Sequence, residues 1–321
     1  MKINRRAAIA GAAALSAASP ARAQEFPTKA IKIVVPFAAG SATDLTARGL
    51  GAKLQDILKQ AIVIDNKPGA SGQLGASAVA TAPADGYTLL MGTNSTNAAN
   101  TALFKKLSYD MEKDFAPIAN CVSGVNALVV NNDVPVKTVA ELIDYAKKNP
   151  GKLAYGSAGL GTYSQMRIEM LKMRAGIDIL HVPYRGSADA MNDLLAGNVQ
   201  LMNEINVIPH VRAGKLKLLN INYSTRHPDF PDVPTLTEQG YPDTDLSIQY
   251  TIQAPAGTPK EIINAFNQKI VEIAKTPDMI ARMQSINVIV PIETPEQTAA
   301  SQAKAFQENG KLIVEAKISM D

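Results

Sequence analysis

Short apolar runs at residues 31–35, 61–64, 87–91 and 127–130 are continuous rather than alternating. Continuous apolar strands are buried on both faces, the pattern of a mainly parallel sheet covered by helices. Between the runs the period lengthens. After Ser41, apolar residues recur at Leu45, Leu50, Leu54, Ile57 and Leu58 with charged residues interleaved, which predicts a helix with one core-facing stripe. Helix-start signals occur at Ser41-x-x-Asp44, Thr138-x-x-Glu141, Thr258-Pro-Lys-Glu261 and Thr294-Pro-Glu-Gln297. Each sets a hydroxyl N-cap three residues before an acid or amide, and the last two add Pro at the first helical position. Strands alternating with helices predict an α/β fold with right-handed βαβ units and ligands at the strand C-terminal ends.

Two strand-to-helix turns are candidates for such a site. In the first, the strand ending at Val35 runs through Phe37, Ala38, Ala39, Gly40 and Ser41 into the helix carrying Thr43 and Asp44. Small residues let an anion approach the main chain, and the first amides of a helix lack intrahelical acceptors. Read alone, this is an anion seat or an ordinary tight turn. Asp44 also has two readings, completing the cap or facing an ammonium group. The second turn is Lys152-Leu-Ala-Tyr-Gly-Ser-Ala-Gly-Leu-Gly-Thr162, in which Ser157, Gly159, Gly161 and Thr162 form an opposing seat or a plain turn. Its Gly159-Leu-Gly161 is not a dinucleotide fingerprint, since Ser164 stands where the third Gly belongs. Two seats suggest one ligand held between them.

The N-terminus changes the charge picture. Lys2, Arg5 and Arg6 precede an Ala-rich stretch and Ala21-Arg-Ala23, the pattern of a cleaved secretory signal over residues 1–23. The apolar stretch is shorter than the ~20 residues that span a bilayer. The Arg pair raises twin-arginine export, but the residues around it fit ordinary secretion better. Of 32 Lys and Arg the leader takes four, and of 29 Asp and Glu none, so the net charge moves from +3 to −1. That leaves no basic excess for nucleic acid. Cys121 is the single cysteine, so there is no intrachain disulfide or Cys-based zinc site, and His181, His210 and His227 lack metal spacing. No cofactor is expected.

At this resolution of detail the chain resembles the Bug-type extracytoplasmic receptors of the tripartite tricarboxylate transporter system. The resemblance is carried by Phe26-Pro27 leading into the first strand, Asp65-Asn-Lys-Pro-Gly-Ala-Ser-Gly72, Asp85-Gly-Tyr-Thr-Leu-Leu90, Asp114-Phe-Ala-Pro117, His181-Val-Pro-Tyr-Arg-Gly186, Pro231-Asp-Val-Pro-Thr235 and Ala254-Pro-Ala-Gly-Thr-Pro259. It implies a two-domain α/β periplasmic binding protein, a type II-like Venus flytrap with two interdomain crossings. Residues 24–123 and 249–321 would form the first domain and 124–248 the second. It further implies a monomer in the periplasm that closes on a small organic carboxylate and delivers it to membrane permease subunits.

Beyond the two turns, Thr93 and Asn94 follow the third apolar run, and Tyr184 ends a strand where its hydroxyl or ring meets a ligand. Arg185 reads as structural or solvated. The family usually shows an aromatic followed by Asp where this chain has Asn203 and Glu204, and Gln249 stands near a common Trp. These departures describe a polar cleft, or residues at helix ends and in solvent. Di- and tricarboxylates, acidic amino acids and heteroaromatic acids all fit, with Glu204 favouring a ligand that also bears a donor. No nucleophile is paired with a base, so a binding protein is expected rather than an enzyme. A ligand sensor that signals, and a secreted α/β hydrolase, are the alternatives.

Overall fold

A computed structural model describes residues 26–124, 126–222, 226–227, 229–241, 248–285 and 288–315. The anticipated leader lies outside them. The chain begins with β1 (Ile31–Val35), β2 (Ile62–Asn66), β3 (Thr88–Thr93) and β4 (Phe115–Gly124). It then crosses to β5 (Ala127–Asn131), β6 (Ala154–Ser157), β7 (Leu180–Pro183), β8 (Leu201–Glu204) and β9 (Leu216–Ile221), and returns for β10 (Ile248–Pro255) and β11 (Val288–Ile289). The first sheet has the order β11-β4-β10-β3-β1-β2 and the second β7-β6-β8-β5-β9. Each sheet thus draws its strands from one side of the two crossings.

Neither sheet is mainly parallel, which corrects the expectation from the apolar runs. β1 is parallel to β2 and β3, but β10 lies antiparallel to both β3 and β4. In the second sheet β6 is parallel to β7 and β8, while β5 is antiparallel to β8 and β9. Of the antiparallel members, β5 and β10 are the first strands after each crossing, and β11 lies antiparallel to β4 at the edge. A continuous apolar run reports burial and carries no information about strand direction. β2 departs in a second way: it is an edge strand, its residues are partly exposed and Val63 is 48% exposed.

Helices cover both faces. Leu50 and Leu54 of the helix Ala42–Leu58 and Phe266 and Ile270 of the helix Lys260–Ala274 meet Ile33 and Ile252 of the first sheet. Across the second sheet, Leu142 and Ile168 pack on one face and Leu194 and Ile208 on the other. Each such buried side chain stabilises the fold by about 1.5–3 kcal/mol relative to exposure. A further cluster joins the two halves: Leu103 and Ile313 from the first-sheet side pack against Tyr163 and Met166 of the helix Tyr163–Ala175.

Three of the four start signals form their caps. Ser41 and Thr138 accept from the amides of Asp44 and Glu141 at 3.3 and 3.1 Å. Thr294 and Gln297 satisfy each other, with amide-to-side-chain distances of 2.8 and 3.2 Å, at the head of the helix Pro295–Glu315. Thr258 is the exception, because its hydroxyl donates to the Pro255 carbonyl at 2.7 Å and the following helix starts without a side-chain cap. Thr294→Ala is expected to cost about 1 kcal/mol, read as a lower urea midpoint at unchanged slope.

Candidate functional site

The C-terminal ends of β1, β3, β6 and β8 converge on one narrow cavity of about 30 Å³. From the first-sheet side it is lined by Phe37, Ser41, Thr43, Thr93, Asn94 and Tyr250. Asn126, Thr162, Tyr163, Ser164, Ser187 and Glu204 line it from the other. The helices Ala42–Leu58, Tyr163–Ala175 and Ser187–Ala196 all begin at this wall. Three helix N-termini bring three positive dipole ends to one point, each contributing about 0.3–1 kcal/mol toward holding a negative charge, and up to ~2 when partly buried.

The first turn is built by a glycine and a cap. Gly40 adopts φ +80°, a left-handed conformation that L side chains rarely adopt, which turns the chain so that Ser41 caps the helix. Asp44 is buried and accepts from the Gly40 amide at 2.8 Å, Arg48 Nε at 2.9 Å and Asn66 Nδ2 at 3.0 Å. Burial alone would raise its pKa, but the bonds from Arg48, Gly40 and Asn66 outweigh that and hold the carboxyl below its usual range. With its oxygens so engaged, Asp44 organises the turn and is absent from the cavity wall. Of its two readings the structural one applies.

The amides of both turns, which an anion seat would leave free, are largely satisfied within the protein. Ala42 N donates to Ser187 Oγ at 3.1 Å and Ala38 N to the Arg185 carbonyl at 3.4 Å, two bonds that tie one half of the molecule to the other. In the second turn, Ala158, Gly159 and Gly161 donate to Ser164 Oγ, Ser157 Oγ and Gln165 Oε1 at 3.1, 3.2 and 2.6 Å. Thr162 N donates to the Gly159 carbonyl at 3.3 Å. Short polar side chains fold back onto these turns, so the groups presented to the cavity are chiefly side-chain hydroxyls and amides.

Several anticipated residues lie off this wall. Ser157 is fully buried and bonded to His181 Nε2 at 2.7 Å, and the His181 ring stacks on Tyr155 at 4.7 Å. Burial depresses His181 to about 4, so it is neutral near pH 7 and, half-buried, packs against Tyr155. Gly161 is pinned at φ +70°, where an added Cβ would come within 2.8 Å of Leu103. Asn203 meets the Asn222 amide in the second-sheet interior, and the Gln249 amide donates to Asn94 Oδ1 at 2.5 Å. Ala38, Ala39 and Gly40 shape the first turn without lining the cavity.

A larger cavity of about 440 Å³ adjoins the first and shares Phe37 and Ala158 with it. Its wall includes Gly159, Phe104, Leu160, Tyr184 and Arg185. Tyr184 presents its ring here, because its hydroxyl is engaged with Asp193 Oδ2 at 2.6 Å. Of the two anticipated groups, hydroxyl or ring, the hydroxyl is engaged within the protein while Tyr184 still lines this cavity.

The electrostatic exception on the inner wall is Glu204. It is 4% exposed, and burial pushes its pKa up to about 7 although the Ser164 hydroxyl and Ile205 amide pull the other way. Tyr250, bonded to Thr43, is raised by burial and then by the Glu204 charge. Cys121 is buried and its thiol is pushed up to about 12, which leaves no reactive thiolate near neutrality. Sequence reasoning missed Ser95, Asn126, Ala158, Tyr163, Ser164, Ser187, Ile248 and Tyr250. Ser187 had a readable signal, a hydroxyl opening a helix after Arg185-Gly186, whereas Tyr250 alternates with Ile252 along β10 as an ordinary core residue would.

The family model described as "Tripartite tricarboxylate transporter family receptor" matches residues 46–318. The chain belongs to that family. Among solved structures similar to this receptor, the periplasmic binding protein BugD is 31% identical with a TM-score of 0.88, covering 92% of this chain and all of its own. Rpa4515 of R. palustris, determined with adipate, is 32% identical with a TM-score of 0.88 and the same coverage. MatC (Rpa3494) of Rhodopseudomonas palustris, with bound malate, is 32% identical with a TM-score of 0.85, covering 90% of this chain and all of its own. The fold is therefore that of a two-domain periplasmic binding protein. The family is described as one of receptors, and BugD is named as a periplasmic binding protein.

Proposed function

We propose that this receptor captures a small organic carboxylate between its two halves in the periplasm and hands it to the permease of a tripartite tricarboxylate transporter. The observation that carries the reading is the convergence of three helix N-termini with hydroxyls from both sheets on one cavity, in a fold whose relatives hold malate and adipate. The halves are residues 24–123 with 249–321, and residues 124–248, hinged at the two crossings. A cavity of about 30 Å³ has room for about one water. Admitting a dicarboxylate therefore requires the halves to part. The adjoining 440 Å³ space falls within the size range of small-molecule sites and accommodates the body of a longer acid.

Acceptors on the inner wall refine the ligand class. Glu204 and Asn126 both line the cavity, and Asn126 Oδ1 is buried without a partner, so a hydroxyl or ammonium beside the carboxylate is favoured. Thermal-shift and calorimetric titrations with succinate, malate, aspartate, adipate, citrate and nicotinate test this. A bound carboxylate at a hundred times its Kd raises stability by about 2.7 kcal/mol. Malate or aspartate is expected to outbind succinate. Ser41→Ala and Thr162→Ala are each expected to weaken binding by about 1 kcal/mol, roughly fivefold, without loss of the fold. Unchanged affinity in both variants, or no stabilisation by any acid, overturns the reading.

A further inference from the structure

Arg167 is unused by the site as described. It lies in the helix Tyr163–Ala175, three residues after Ser164 and four after Tyr163, both of which line the inner cavity. Residues so spaced share a helix face, and one turn advances about 5.4 Å along the axis. Arg167 therefore continues the cavity-facing stripe one turn inward, where it is 3% exposed. Its guanidinium carbon is 4.9 Å from the centre of the Tyr163 ring, and Nη1 is 3.3 Å from the Asn222 amide, which accepts when its oxygen is turned toward the arginine. Nε and Nη2 are buried and have no acceptor.

Among the described residues, no other charged side chain has buried, unpartnered atoms. A buried charge without a counter-ion is strongly unfavourable, and folding alone gives no reason for the sequence to carry one. The chemistry of the free edge is specific. Nε and Nη2 lie on one side of the planar guanidinium, and their parallel N–H bonds match the two oxygens of a carboxylate. We infer that the Nε–Nη2 edge of Arg167 is the inner carboxylate anchor of the receptor, gripping one carboxylate of the captured acid in a bidentate fork. The inference rests on the carboxylate-capture reading and adds to it the residue that supplies the positive charge. Admission of a dicarboxylate already requires the wall of the 30 Å³ cavity to rearrange, and Tyr163 is part of that wall.

The test uses the mature protein and two variants, Arg167→Gln, which removes the charge, and Arg167→Lys, which keeps it without the fork. Malate, aspartate and adipate are titrated calorimetrically, and melting is followed without added acid. For the tightest of these acids, Arg167→Gln is expected to raise Kd about 10- to 100-fold, as charge-assisted bonds imply, with Arg167→Lys between it and the parent. In the acid-free protein, Arg167→Gln is expected to melt at the same or a higher temperature, because an uncompensated buried charge has gone. A residue that only supports the fold would show the reverse, a lowered melting temperature with affinity kept. That result, equal affinity in all three proteins, or loss of the folded circular-dichroism spectrum in both variants overturns the assignment. If the parent protein binds none of the acids, the capture reading itself fails, and the melting data still report on the buried charge.

Discussion

Glu204→Gln raises the melting temperature at pH 8 and leaves it nearly unchanged at pH 4.5. Glu204 is buried at the cavity wall, and its folded-state pKa is raised from 4.5 to about 7, chiefly by burial. Between those values the folded chain holds a proton that the unfolded chain has released, so stability falls as pH rises through the window. Below about 4.5 the carboxyl is protonated in both states, and above about 7 the loss is complete. The shift corresponds to roughly 3 kcal/mol at most. Gln keeps the size and an oxygen for Ser164 but never ionises, so it recovers that amount at pH 8, roughly 5–10 °C for a chain of this size. Melting curves of the two proteins at pH 4.5, 6 and 8 decide the matter. A gap of equal width at all three would mean that Glu204 does not titrate in this window.

Gly75→Ala is expected to destabilise the fold by about 1–3 kcal/mol and to weaken carboxylate binding although it lies outside both cavities. The helix Gln73–Ala80 packs so closely that a Cβ at Gly75 would lie 2.8 Å from Pro36 Cα, 2.9 Å from Pro36 Cβ and 3.1 Å from the Lys67 carbonyl. Those neighbours are backbone or a rigid ring, which cannot turn away as a long side chain can. The gain in helix propensity, at most ~1 kcal/mol, does not offset the overlap. Relief requires moving Pro36, and Phe37 follows it on the inner wall. Urea unfolding and a malate titration of the same variant should therefore both change. A shift in stability with unaltered affinity would separate the helix from the site.

The α/β layering was legible because it rests on local periodicity. The stripe holds from Leu50 through Leu54 to Ile57 and Leu58, while Leu45, expected on it, is 49% exposed; the stripe and the caps at Ser41, Thr138 and Thr294 involve residues a few positions apart, and the forces that create them act at that range. Strand direction was not legible. Nothing in the composition of β10 records that it runs against β3 and β4, since pairing is settled by the path of the chain through the crossings. The site divides in the same way. Phe37, Ser41, Thr43 and Thr162 were found because turn chemistry is written locally. Asn126, Tyr250 and the buried Arg167 depend on contacts between distant segments, and each reads in sequence as an ordinary polar or core residue. Asp44 and Tyr184 each kept two readings in the sequence, because a polar group near a strand end looks available until its partner, Arg48 or Asp193, is known.

The place of β10 bears on how the chain assembles during synthesis. It sits between β3 and β4, yet it follows them by more than a hundred residues. Until that late segment emerges, β3 and β4 lack their shared neighbour, and the hydrogen-bonding groups along those two edges have nothing to close on. The N-terminal part cannot complete its sheet before that segment is made, and pairing over so long a separation carries a large loop-closure cost. Truncations ending before residue 248 should therefore yield protein that aggregates instead of a smaller stable unit.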